Sequence, residues 1–196
     1  TAAATSGCRR IHSKGVFTMS TTSNYNIKHT TYWLCITAMF MALNIVMSSF
    51  SIPVPGGHLY MNDIVICTAA ILLDPFAAFM VGGVGAFLGD LFFYPTPMFV
   101  SLVTHGLQAI VISLFSHHIM KKHRVLSSGI GVGIGAVIMI VGYSLGRAFI
   151  YSTPEYAILK LPYQVLQAVV GAVAGMILCW KCKLVELFHQ KVFRKS

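Results

Sequence analysis

Acidic residues are scarce. Asp and Glu together number five among 196 residues, and charged residues of both signs make up only 10%. A soluble domain carries about 25% charged residues, so this chain cannot cover its surface with polar groups and its solvent is lipid. No H-E-x-x-H, no G-x-S-x-G and no G-x-x-x-x-G-K-[ST] occurs, which leaves zinc proteolysis, elbow-type serine hydrolysis and P-loop ATP hydrolysis without their machinery. The five acids are scattered and do not point to catalysis. The five cysteines (Cys8, Cys35, Cys67, Cys179, Cys182) show no disulfide framework, and the C-x-x-C spacing of Cys179 and Cys182 lacks a second ligand pair. No metal and no cofactor are expected. Residues 1–18 contain no long apolar run before a cleavage site, so they do not read as a signal peptide. They are expected to be an expression or upstream-translation remnant preceding Met19. No polar stretch is long enough for a soluble catalytic domain.

What is present is 56% hydrophobic, with a mean hydropathy of +0.76. Six apolar segments run from about 32–50, 62–73, 76–93, 98–115, 128–151 and 160–180. A span needs about 20 residues, which makes the second segment short: tilted, partly re-entrant, or extended back toward His58. The net charge of +9 would suit nucleic acid in a soluble protein. Here twelve of the fourteen Lys and Arg residues lie before the first segment, between the fourth and fifth, or after the sixth. Basic residues concentrate on the cytoplasmic side, so both termini are placed there and nucleic acid is not an expected partner. The expected fold is an all-α integral membrane protein with six transmembrane helices. A polar tail (1–31) would precede a six-helix membrane domain (32–183), with a basic cytoplasmic tail (184–196) after it.

The stretch from Asp74 to Gln108 organises the chain: a glycine-rich apolar helix ending near Asp90, a Tyr-Pro-Thr-Pro turn, and a helix carrying Thr104, His105 and Gln108. Glycines allow close helix approach in lipid, and intramembrane ionisable residues mark functional sites by default. Five segments place hydrogen-bonding side chains at similar depth in their outer halves: Asn62 and Asp63; Asp90; Thr104, His105 and Gln108; Tyr143 and Arg147; Tyr163, Gln164 and Gln167. Thr104/Gln108, Tyr143/Arg147 and Tyr163/Gln167 are i,i+4 pairs, each on one helix face. Amides, a histidine and tyrosines suit a small polar aromatic solute. The turn-rich segment 51–61 can cover such a pocket, with His58 and Tyr60 as contacts. Plainer readings stand beside these. Asn62 and Asp63 can cap the second helix, Asp90 and Arg147 can neutralise each other, His105 can be a packing residue, and the glycines at 129–135 and 171/175 can be packing surfaces.

These residues carry a resemblance. Ala38-Met-Phe-Met-Ala42 matches an A-x-x-x-A motif. Asn62-Asp63, Asp74-Pro75, Gly89-Asp90, His105-Gly-Leu-Gln108, Gly142-Tyr143 and Pro162 with Gln167 follow a longer pattern. Over residues 33–180 the chain resembles the substrate-binding S component of energy-coupling factor (ECF) vitamin transporters, in the hydroxymethylpyrimidine-type (HmpT-like) branch. His105 stands where that branch usually has Lys, and Gln108 and Arg147 stand where it frequently has Glu. The resemblance implies capture of a vitamin or precursor at the outer face of a bacterial cell membrane, in a multi-pass protein. Delivery would go through a transmembrane T component, docked at Ala38 and Ala42 and driven by two ATPase subunits. Hydroxymethylpyrimidine or pyridoxine is the expected ligand, and pantothenate becomes competitive if Arg147 is unpaired. A small membrane enzyme using His105 and Asp90, and a structural assembly subunit, are the rival classes.

Overall fold

A computed structural model describes the backbone of residues 19–55, 57–119 and 123–193, and the side chains of 31–55, 58–119 and 123–188. The expected remnant 1–18 and the basic residues Arg9, Arg10, Lys14, Lys121, Lys122, Arg194 and Lys195 lie outside the described residues. Contacts divide the chain into residues 1–35 and 36–196. The first unit is described from Met19 and is helical there; the packing below belongs to the second.

Helix α1 (Met19–Ser49) is followed by strands β1 (Ser51–Val54) and β2 (Gly57–Tyr60) and the short helix α2 (Asn62–Leu72). Four long helices come next: α3 (Pro75–Phe93), α4 (Met98–Ile119), α5 (Arg124–Tyr151) and α6 (Pro154–Lys181). Helix α7 (Leu184–Phe193) closes the described chain. Five helices are long and apolar enough to cross a membrane: Thr31–Ser49 within α1, and α3 to α6. At 1.5 Å per residue, the 11 residues of α2 reach about 16 Å, roughly half of a bilayer core of about 30 Å.

The second unit buries many polar side chains beside its apolar core and turns large apolar side chains outward. Asn44, Ser48, Asp63, Ser101, His105, Gln108 and Gln167 are buried, while Phe149 is 80% exposed and Ile158 72%. That arrangement suits a chain solvated by lipid tails, where buried polar groups must find one another.

Small residues allow the helices to meet. A Cβ on Gly82 would lie 2.7 Å from the Ala109 Cβ, and one on Gly171 would lie 2.5 Å from the Asp63 Cβ. In the 129–135 run only Gly131 and Gly135 meet α4, at Phe115 and Ile112, whereas Gly133 faces open space. Spacing of four residues keeps one packing stripe on α4. Helix α3 contains a π turn at Met80–Val84, and Asn44 of α1 donates its Nδ2–H to the Val81 carbonyl there at 2.7 Å.

Several expectations change. Segment 51–61 is a β-hairpin with Ser51 opposite Tyr60 and Pro53 opposite His58, so the fold is helical apart from one two-stranded ribbon. Residues 51–54 and 57–60 are short enough, and separated by few enough residues, to pair with each other. The capping reading of Asn62 and Asp63 fails. Met61 holds the N-cap position without a side-chain hydrogen bond, because Asn62 and Asp63 are already helical and turn inward. Asp74 does cap, accepting from the Ala77 N–H at 3.3 Å with Pro75 behind it. The sixth apolar segment begins at Pro154 and not at Lys160. Pro154 fits the first helical turn, and the added residues place Lys160 inside the bundle. Residues 19–31 and 184–193 are helical where tails were expected.

Candidate functional site

Asp63, the second residue of α2, is 1% exposed and sits at the centre of a four-residue network. Gln167 of α6 donates its Nε2–H to Asp63 Oδ2 at 2.6 Å. Gln108 of α4 donates to Asp63 Oδ1 at 3.4 Å. His105 lies one turn before Gln108, and its Nδ1 meets Gln108 Oε1 at 2.7 Å and stands 3.6 Å from Asp63 Oδ1. A carbonyl oxygen only accepts, so that contact puts the His105 proton on Nδ1. Three helices therefore converge on one carboxylate. Gly171 permits it, since any larger residue there would strike Asp63.

The network continues into the hairpin. The Tyr60 backbone N–H donates to Gln167 Oε1 at 3.2 Å, tying β2 to the same amide that holds Asp63. Lys160, only 6% exposed, donates its Nζ–H to the His58 carbonyl and sits 5.9 Å from the centre of the Tyr60 ring. Two contacts from α6 thus fasten the hairpin down.

A second cluster lies beside the first. Ser101 donates to Asp90 Oδ2, and because a serine has one proton, Tyr143 donates its own hydroxyl to Ser101. The Tyr143 ring stands edge-on to His105, with centres 5.2 Å apart, which joins the two clusters. Above them is an aromatic and basic rim. His58 packs on Tyr94 at 5.2 Å, and Arg147 donates to the Tyr151 hydroxyl at 3.3 and 3.4 Å. Burial holds the Tyr60 phenol above its ordinary pKa. Asp90, Tyr94 and Tyr151 add to that and Arg147 opposes it, so all four act on this hydroxyl.

Two rim atoms, Tyr60 Oη and His58 Nδ1, are buried without a hydrogen-bond partner among the described residues. A buried polar atom that nothing reaches costs about 1–3 kcal/mol. Tyr60 also borders a partly open, largely apolar cavity of about 190 Å³, where Ile52, Ile64, Leu166 and Val170 surround Asp63 and Gln167.

Of the eleven pocket residues expected from sequence, Asp63, His105, Gln108 and Gln167 form one network, with Asp90 and Tyr143 against it. Arg147 belongs to the rim, where it meets Tyr151. The other four point elsewhere. Thr104 donates to the Val100 carbonyl and packs on Gly142. Gln164 donates to the Met139 and Ile140 carbonyls at 3.2 and 3.1 Å, pinning α6 to α5. Asn62 reaches Ser48 at 3.5 Å. Tyr163 is half-buried, and no hydrogen bond or ring contact reaches it among the described residues. Ser101, Lys160, Tyr94 and Tyr151 were missed. Lys160 had a readable signal, because Lys160, Gln164, Gln167 and Gly171 share one helix face at i, i+4, i+7 and i+11. Ser101 had a weaker one, lying one turn before His105.

The family model for the ECF-type riboflavin transporter S component matches residues 28–184. The chain belongs to this family. It is also 30% identical over 165 residues to the thiamine precursor transporter HmpT of Lactococcus lactis subsp. cremoris (strain MG1363), covering 82% of this chain and 90% of that protein. An uncharacterized protein of Pyrococcus woesei is 29% identical over 136 residues, covering 68% of this chain and 89% of its own. This S component is accordingly a subunit for vitamin or precursor transport, a multi-pass membrane protein and not an enzyme by family. Its A-x-x-x-A residues, Ala38 and Ala42, are both exposed. The opposite face of α1, with Thr37, Asn44 and Ser48, is buried.

Proposed function

We propose that this S component captures a single-ring, amino-substituted heterocycle of the hydroxymethylpyrimidine type at the hairpin end. Delivery then goes through a T component driven by two ATPase subunits. The observation that carries the reading is the Asp63–Gln108–His105–Gln167 network under a hairpin with two orphan polar atoms. A carboxylate flanked by amides can accept a ring amino group, while the amides and His105 match ring nitrogens. Tyr143 and Tyr60 supply aromatic faces.

Size favours one ring over a fused three-ring vitamin. An enclosed apolar cavity of about 150 Å³ holds benzene, and the partly open one here, about 190 Å³, is on the scale of one substituted ring. The name of the Lactococcus relative points the same way. We place both termini in the cytoplasm from the basic-residue distribution, and we count the short α2 as the sixth membrane element. Buried Lys160 and the nearby Arg147 favour a second reading, an anionic vitamin such as pantothenate.

Mass spectrometry of small molecules released from gently purified protein tests both. One enriched pyrimidine supports the proposal, an enriched carboxylate vitamin supports the second reading, and a riboflavin-sized ligand overturns the size argument. A further variant isolates the lid. Tyr60→Phe removes a hydroxyl that lacks a partner, so the unliganded protein should keep its Tm or gain slightly. Affinity measured by calorimetry should fall about fivefold to tenfold. A lower Tm with full affinity would assign that hydroxyl to the fold.

A further inference from the structure

At the opposite end of the bundle, four buried polar atoms have no hydrogen-bond partner among the described residues: Ser116 Oγ, His117 Nε2, Ser128 Oγ and Trp180 Nε1. All four residues line one small cavity, together with Arg124 and an apolar wall that includes Phe188 of α7. The convergence comes from three helices, α4, α5 and α6. Orphan buried polar atoms are uncommon singly; four facing one space point to an occupant. The cavity measures about 20 Å³, above the roughly 10–15 Å³ that admits one oxygen-sized atom.

The lining chemistry is donor-rich. Trp180 Nε1 can only donate, and both serine hydroxyls can donate. The His117 ring already hydrogen-bonds the Leu73 backbone. Its Nε2 donates when the ring is protonated, or accepts from a protonated oxygen when it is neutral. Neither Asp nor Glu is among the lining residues, although Asp74 acts on His117 from its exposed cap position. Arg124, Lys181 and Lys183 are exposed at this end. Basic pockets between membrane helices on the cytoplasmic side bind anionic head groups.

We propose that this cavity seats one oxygen of a phosphate group, with the remainder of the group at its mouth beside Arg124. The phosphate comes from a lipid head group or from free phosphate. Phe188 offers an apolar surface to an acyl chain in the first case.

The full chain, reconstituted in phosphatidylcholine nanodiscs with and without phosphatidylglycerol, provides the test. Retained lipid is identified by native mass spectrometry. Inorganic phosphate is titrated separately against Trp180 fluorescence in a Trp33→Phe background. Phosphatidylglycerol should be retained in preference, and Arg124→Gln, at an exposed position, should reduce its retention about fivefold. Ser128→Ala should also reduce retention while keeping the wild-type Tm. Retention with no phosphate response assigns the site to lipid, and a saturable phosphate response without lipid preference assigns it to the free ion. Absence of both, or retention unchanged in both variants, overturns the proposal and leaves a cavity for water.

Discussion

Asp63→Ala should abolish measurable ligand binding and lower the stability of the fold. Two amides, from Gln108 and Gln167, donate to this carboxylate. Removing it leaves both buried donors without an acceptor, at about 1–3 kcal/mol each. It also frees Gln167, which accepts from the Tyr60 N–H, so the hairpin loses one of its two fastenings to α6. Affinity should fall by more than about 100-fold, equivalent to roughly 2.7 kcal/mol. Asp63→Asn separates the two effects. An asparagine oxygen still accepts from one amide, while its NH₂ meets the other amide donor to donor. The asparagine variant should fold with a modestly lower Tm and bind about tenfold more weakly. Full affinity in that variant would remove Asp63 from the binding site and leave it a structural hub.

The second large effect is expected on assembly. Ala38→Trp with Ala42→Trp should reduce co-purification of the T component by at least tenfold, while ligand affinity stays at wild type. Both alanines are exposed, whereas Thr37, Asn44 and Ser48 turn into the bundle. Small residues at i,i+4 make a flat strip on which another membrane helix can lie closely. Two indoles there would hold a partner helix away without touching Asp63 or the hairpin. The Gly85 and Gly89 contacts with Asn44 and Ser48 anchor the other side of α1, so the bundle is left undisturbed. Undiminished co-purification would place the docking surface elsewhere.

Hydropathy alone located the long helices to within a few residues. The expected 76–93 became Pro75–Phe93, and 98–115 became Met98–Ile119. Lipid exposure imposes this, because a span must be apolar over its whole length and the pattern is hard to disguise. The boundaries that shifted most were those near charge. Starting α6 at Lys160 treated the lysine as the edge of the membrane, whereas six further residues of helix precede it and its side chain folds inward to the His58 carbonyl. The hairpin was read as a turn-rich segment and not as paired strands, since eight strand residues in two short runs give little periodicity.

Composition and spacing by themselves determined that this is a lipid-solvated helical protein. They also determined that its polar side chains gather toward one end and that Asp63, His105, Gln108 and Gln167 were worth watching. They could not say which polar residues face one another. Thr104 and Gln108 share an i,i+4 spacing, yet one bonds its own backbone and the other meets Asp63. Rotation and closeness of the helices decide that, and these are settled by contacts distant in the chain, such as Gly171 against Asp63 and Gly142 against Thr104. Helical spacing is a local property, and a polar network assembled from α2, α4 and α6 is not.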